Sequence, residues 1–337
     1  MTDRDISEIK ELLSSPQKIV ITTHSFPDGD AMGSSLALYN YLIQGEHEVT
    51  VIVPTRYPQF LRWMPGDDKV LVHNMERDKA EQLMSDATLI FCNDINSASR
   101  VGDVEKALVS ASAVKILIDH HPNPDIDVNY MMSLTEASST AELIYEFIDR
   151  LGDTDKINVA VAESIYAGIL TDTGSFSYGS TSERAHQVAG EMIGRGADNL
   201  KIQGHIYQDN SLDRIQLLGY SLSEKLTLYP EYRAGYISLS KEELTKYNFR
   251  PGDTEGLVNY VTTIKGINFA TLIMERNGFI KFSFRSTGNF SVNEFARDNF
   301  GGGGHEAAAG GEFSGSLQEA IDKYVALLPS YKDKLLS

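Results

Sequence analysis

The sequence predicts an α/β chain of two domains: a mainly parallel sheet flanked by helices, then a smaller α+β domain. Three observations carry that reading. Across residues 18–194, short apolar β-like runs alternate with stretches of helical periodicity, the pattern of a parallel sheet with crossover helices. Beyond residue 228 the pattern turns to strands joined by short turns, with Arg276-Asn277-Gly278 as a hairpin signal. A length of 337 residues suffices for two separate cores.

The first strand is read over residues 18–23 (KIVITT). A helix over 30–43 follows, where Leu36, Leu38, Tyr39 and Leu42 recur at roughly helical spacing, and then a strand over 48–53. Residues 87–92 and 114–118 are two more strands, each apolar enough to be covered on both faces. Helices are expected over 139–151 and 158–169, and Ser182 caps a further one over 183–194. Residues 209–228 read as a helical connector, which leaves domains at 1–208 and 229–337. In the second domain, strands are expected over 234–240, 269–275 and 279–286. Helices are expected over 254–264, 292–300, 305–309 and 317–328.

Composition narrows the function classes. A hydrophobic fraction of 42% with 23% charged residues is that of an ordinary soluble globular protein. No apolar run approaches the ~18 residues needed to span a membrane. The opening residues 1–15 are charged and polar, without the pattern of a signal peptide, so the cytoplasm is the expected compartment. The single cysteine, Cys92, lies in an apolar strand and reads as a buried thiol, not a nucleophile. A net charge of −17 argues against binding long nucleic acids, which depends on neutralising many phosphates. It leaves room for a small anion held by metal ions and a few arginines.

The chemistry gathers in short clusters that each follow an apolar β-like run: His24-Ser25-Phe26-Pro27-Asp28-Gly29-Asp30, Asn93-Asp94 and Asp119-His120-His121. Asp172, in Leu170-Thr171-Asp172-Thr173-Gly174, is a fourth candidate. Acids and imidazoles collected at the carboxyl ends of parallel strands repel one another unless cations hold them. Two divalent ions sharing a carboxylate are a common apparatus for phosphoester hydrolysis. Singly, each cluster has a plainer reading. Asp28-Gly29-Asp30 is also a turn and helix cap, His120-His121 a loop pair, and Asp172 a helix end stopped at Gly174. Arg100, six residues past Asp94, either touches a substrate phosphate or pairs with a neighbouring carboxylate. Conjunction of the clusters favours a two-metal phosphoesterase.

His24-x-x-x-Asp28-x-Asp30, Asp94 and Asp119-His120-His121, in that order, resemble the DHH phosphoesterase family. Phe284-Arg285-Ser286 followed by Gly301-Gly302-Gly303-Gly304-His305 resembles its DHHA1 domain, so the likeness spans nearly the whole chain. Within the family, a compact two-domain chain is most similar to the group that cleaves very short oligoribonucleotides (nano-RNA) and 3′-phosphoadenosine-5′-phosphate (pAp). The resemblance implies that His24 and Asp28 hold one Mn²⁺, Asp30 and His120 hold a second, Asp94 bridges them and Asp172 completes the shell. Mg²⁺ or Co²⁺ are possible substitutes. Asp119 would fix an imidazole tautomer, and His121 would contact the scissile phosphate or assist the leaving group.

In the second domain the Gly-rich run is expected to open a helix whose amides approach an anion, with His305, Arg285 and Ser286 adding side-chain donors. The resemblance implies that Gly302, Gly303, Gly304 and His305 bind the far end of the nucleotide. Hydrolysis of nano-RNA to mononucleotides and of pAp to AMP, by two-metal activation of water, is then the expected activity. Linear or cyclic dinucleotides and polyphosphate are the neighbouring alternatives. A non-catalytic nucleotide-binding regulator is disfavoured by the intact ligand set. A site split between two domains would close on substrate, and a homodimer is compatible with the apolar and Gly-rich stretches.

Overall fold

Six strands build the sheet of the first unit: β1 Lys18–Thr22, β2 Glu48–Val53, β3 Leu71–Val72, β4 Leu89–Asn93, β5 Val114–Asp119 and β6 Tyr130–Ser133. The computed structural model describes residues 1–337 and divides into Met1–Asp209 and Asn210–Ser337. In the first unit every strand pair is parallel, in the order β3-β2-β1-β4-β5-β6. The order runs outward from β1 in one direction and from β4 in the other. The crevice between their carboxyl ends is therefore the topological switch point, where open α/β sheets bind ligands.

Helices α1 Asp3–Leu12, α2 Gly29–Leu42, α3 Arg77–Asp86, α4 Glu105–Ser110, α5 Thr140–Arg150, α6 Val159–Asp172, α7 Glu183–Gly194 and α8 Asn199–Gln203 complete the first unit. Period-two alternation sorts the strand residues between two cores. Ile19, Ile21, Phe91, Ile116 and Ile118 pack with Met32 and Leu36 of α2, Ile144 of α5 and Ile165 of α6. Val20, Ile90, Cys92 and Leu117 face Ala80 and Met84 of α3 and Leu108 of α4. Burial on both faces explains the unbroken apolar runs.

Every residue of α2 is buried. Its backbone approaches α6 closely: a Cβ on Gly29 would lie 2.4 Å from Thr171, and one on Gly33 would lie 2.7 Å from the Ser164 carbonyl. This small-x-x-x-small face fixes where the head of α2 sits relative to the end of α6.

The second unit comprises α9 Leu212–Glu224, β7 Leu226–Tyr229, β8 Ala234–Leu239, α10 Lys241–Lys246, α11 Leu257–Thr262, β9 Phe269–Glu275, β10 Ile280–Ser286, α12 Val292–Phe300, β11 Gly303–Gly304, β12 Ala308–Phe313, α13 Leu317–Leu327 and α14 Lys332–Leu336. Its sheet is ordered β11-β12-β10-β9-β8-β7, with β8 and β9 parallel and the other pairs antiparallel. One face carries Phe269, Phe282, Phe284, Phe290, Phe295 and Phe300 around Tyr324, so Phe290 and Phe300 are core rings.

Two sequence expectations are corrected. The stretch read as a helical connector ends in a strand, β7, and its helix α9 packs Leu217 into the core of the second unit with Ile237 and Leu239. Residues 305–309 are not helical: His305 turns the chain between β11 and β12, and Ala308 and Ala309 already pair with β10. The glycine run therefore does not open a helix. Gly301 ends α12 at φ 59°, and a Cβ on Gly302 would overlap the Gly310 carbonyl. Close backbone approach in a sheet is what these glycines provide. No helix is long and apolar enough to cross a membrane.

Candidate metal centre

The three sequence clusters lie at or just past the carboxyl ends of β1, β4 and β5, which are adjacent in the sheet. After β1, Asp28 caps α2: its Oδ1 accepts from the Asp30 and Ala31 amides at 3.1 and 3.0 Å. Its other oxygen lies 3.8 Å from His24 Nε2. Asp30, in the first turn of α2, accepts from the amides at the start of α5, Thr140 N–H to Oδ2 at 2.6 Å and Ala141 N–H to Oδ1 at 2.8 Å. A helix N-terminus thus holds one carboxylate in place while leaving its lone pairs partly free.

Asp94 stands between two groups of ligand atoms. Its Oδ2 is 3.4 Å from His24 Nε2, and its Oδ1 is 3.6 Å from His120 Nε2. Its backbone is left-handed at φ 58°, an outlier of the kind that clusters at functional sites. His24, Asp28 and Asp94 form one group, and Asp30, His120 and Asp172 a second; within each, the potential ligand atoms lie within 4.8 Å of one another. Asp172 is the last residue of α6 and also faces the site, with Oδ2 3.5 Å from His120 Nε2.

The imidazoles are oriented by what their other nitrogen meets. His120 Nδ1 lies 3.2 Å from the Ala137 carbonyl, and His24 Nδ1 2.8 Å from the Ser25 carbonyl. His121 is held twice by Asp119: its amide donates to Oδ2 at 3.1 Å and its Nδ1 lies 2.8 Å from Oδ1. The same Nδ1 is 3.4 Å from Asp94 Oδ1.

Burial and mutual repulsion set the electrostatics. Burial, reinforced by the fields of Asp94, Asp172 and Asp28, drives the Asp30 carboxyl well above the usual carboxylate range. Burial and the Asp94 field push Asp119 up to about 7. Burial would lower His24, but hydrogen bonding to Asp28 and Asp94 outweighs it and raises the imidazole to about 9. His121, buried, is held well below its ordinary value. The Arg100 guanidinium adds positive field at His24, Asp119 and His121, which brings Arg100 to this site. So dense a set of buried carboxylates demands positive charge. Carboxylate oxygens and imidazole nitrogens in two groups around a shared carboxylate fit two hard to borderline divalent cations.

Residues 18–169 match the N-terminal domain of the DHH family, and residues 236–331 match the DHHA1 domain. A Thermus thermophilus protein described as a bifunctional oligoribonuclease and PAP phosphatase is 30% identical over 323 residues, covering 95% of this chain and 91% of that one. The chain belongs to the DHH/DHHA1 family. A crystal structure of an exopolyphosphatase-related protein from Bacteroides fragilis is 38% identical, with a TM-score of 0.94 over 100% of this chain and 98% of that one. A cyclic-di-AMP phosphodiesterase from Geobacillus thermodenitrificans is 25% identical over 94% of this chain and 49% of its own length.

The structure also brings to this region residues that the sequence did not single out. Thr140 donates its hydroxyl to Asp94 Oδ1 at 3.0 Å while its amide holds Asp30. The signal was the run Ser138-Ser139-Thr140 ahead of an apolar helix, a capping signature whose second use depends on the fold. Asn96 donates to the Pro122 carbonyl at 2.6 Å and ties the β4 and β5 loops together.

In the second unit, Arg285 lies on β10 on the face opposite Phe282 and Phe284, half-buried, with Nη1 donating to the Phe284 carbonyl at 2.9 Å. Ser286 is buried and donates to the Phe290 carbonyl at 2.7 Å, so its hydroxyl serves the turn into α12. Gly303 and Gly304 pair with Gly310 and Ala309.

Proposed function

We propose that this chain is a Mn²⁺-dependent phosphoesterase that hydrolyses short oligoribonucleotides to mononucleotides and pAp to AMP. The observation that carries the reading is Asp94, whose two carboxylate oxygens face separate His/Asp groups. His24, Asp28 and Asp94 would hold one ion, and Asp30, His120, Asp172 and Asp94 the other. When bound, such a pair supplies Lewis-acid polarisation of a phosphoryl oxygen and acidifies a water. Asp119 orients His121 toward the scissile phosphate or the leaving group, and Arg100 adds positive charge for the phosphate. Arg285, His305 and the Gly302–Gly304 backbone would bind the far end of a short substrate. Likeness to the T. thermophilus oligoribonuclease and PAP phosphatase supports this substrate class.

Likeness to a cyclic-di-AMP phosphodiesterase over 94% of the chain favours cyclic dinucleotides as the second reading. Product release from pAp, a 5′-phosphorylated RNA dinucleotide and cyclic-di-AMP, each with Mn²⁺ and with EDTA, separates the two. The proposal requires metal-dependent turnover of the first two. Turnover of cyclic-di-AMP alone would replace it.

A further inference from the structure

Phe26 lies midway between His24 and Asp28, in the loop that leaves β1, and its backbone has φ 55°. A bulky residue in the left-handed region is strained. Pro27 adds to the restriction, because a residue before proline is pushed toward extended backbone. Burial does not offset this cost, since the residue is 59% exposed. The conformation is imposed from outside: the Phe26 amide donates to Thr55 Oγ1 at 2.7 Å, and the Ser25 amide donates to the Arg100 carbonyl at 2.7 Å. Gly102 admits that second contact, as a Cβ there would lie 2.7 Å from Ser25 Oγ. Two neighbouring loops thus fix the backbone of an exposed aromatic residue between two residues of the metal centre.

A flat apolar surface beside a phosphoester site has one obvious complement in a nucleotide. We propose that Phe26 is a stacking platform for the nucleobase attached to the phosphoester being cleaved. The proposal rests on the nucleotide reading above and extends it to a residue and a contact. Stacking accepts any base, since every base has a π-face, so the platform suits an enzyme acting on short RNA of mixed sequence. It also gives nucleotides an advantage over base-free phosphates at the same metal centre.

The test compares pAp with its base-free counterpart, ribose 3,5-bisphosphate, in wild type, F26A, F26G and F26W. Stacking on an aromatic is worth about 1–3 kcal/mol per base, or roughly 5- to 150-fold. The ratio of kcat/KM for pAp to that for the base-free compound is expected to fall by that factor in F26A and to recover in F26W. F26G removes the ring at a backbone geometry that suits glycine, so it should give the same fall with an undiminished melting temperature. An unchanged ratio in F26A and F26G, with pAp still hydrolysed by wild type, would overturn the platform and leave the enzyme reading intact. Failure of wild type to hydrolyse either compound would sink the nucleotide reading and this inference with it.

Discussion

Replacing Thr140 by valine removes one hydroxyl from the metal centre and keeps the β-branched shape at a fully buried position. The backbone N–H that holds Asp30 at 2.6 Å stays in place. What is lost is the 3.0 Å hydrogen bond to Asp94 Oδ1, the oxygen that faces His120. A hydrogen bond to a charged acceptor contributes about 1.5–3 kcal/mol, roughly a 10- to 150-fold change in an equilibrium constant. Outer partners of metal ligands typically change metal affinity by about 10- to 100-fold, so two independent estimates agree. Isothermal titration of Mn²⁺ into wild type, T140V and T140S measures it directly. T140V should weaken metal binding by that factor with little change in far-UV circular dichroism, and T140S should recover most of it. Equal Mn²⁺ affinity in wild type and T140V would refute the claim that Thr140 orients the shared carboxylate.

Three further outcomes follow from particular contacts. In G168A the new methyl would lie 2.4 Å from Ala141 Cβ and 2.9 Å from Asp30 Oδ1, so thermal unfolding should show a loss of about 1–3 kcal/mol together with weaker metal binding. Cys92, fully buried with its thiol pushed up to about 12 by burial, should resist Ellman's reagent in the native protein and react only on unfolding. Burial would raise Glu243, but Lys225, the Ser240 amide and the Tyr220 hydroxyl hold it down to about 2. That depressed carboxyl contributes stability that is present above about pH 4.5 and lost as pH falls toward 2. E243Q should remove up to about 2 kcal/mol of the stability difference between pH 6 and pH 3 in urea unfolding, and an unchanged difference would count against the assignment.

Much of the first unit is legible in the sequence because its central strands are buried on both faces and six of its eight helices carry a side-chain cap. Residues 48–53 and 183–194 are read to the residue, since an apolar β-branched run and a Ser182 cap leave little choice. Which strands are neighbours is not legible, and the metal centre depends on it. Asp30, Asp94 and Thr140 are distant in sequence and meet only because β1 and β4 are adjacent and α5 starts over their carboxyl ends.

The stretch from His305 to Ala309 misleads for a definite reason. Glu306-Ala307-Ala308-Ala309 has high helix propensity, but pairing with β10 over the aromatic core overrides it, and Gly310 and Gly311 could not continue a stable helix. Local propensity also says nothing of Phe26, whose left-handed backbone is set by Thr55 from another loop.

The central claim, one carboxylate serving two cations, is tested most directly by titrating Mn²⁺ into metal-free protein while following bound metal and pAp hydrolysis in the same samples. Two ions per chain should bind, hydrolysis should rise with the second, and D94N should retain the fold but hold no more than one ion tightly. Full activity with a single bound ion, or a D94N protein that binds two ions and turns over like wild type, would contradict it.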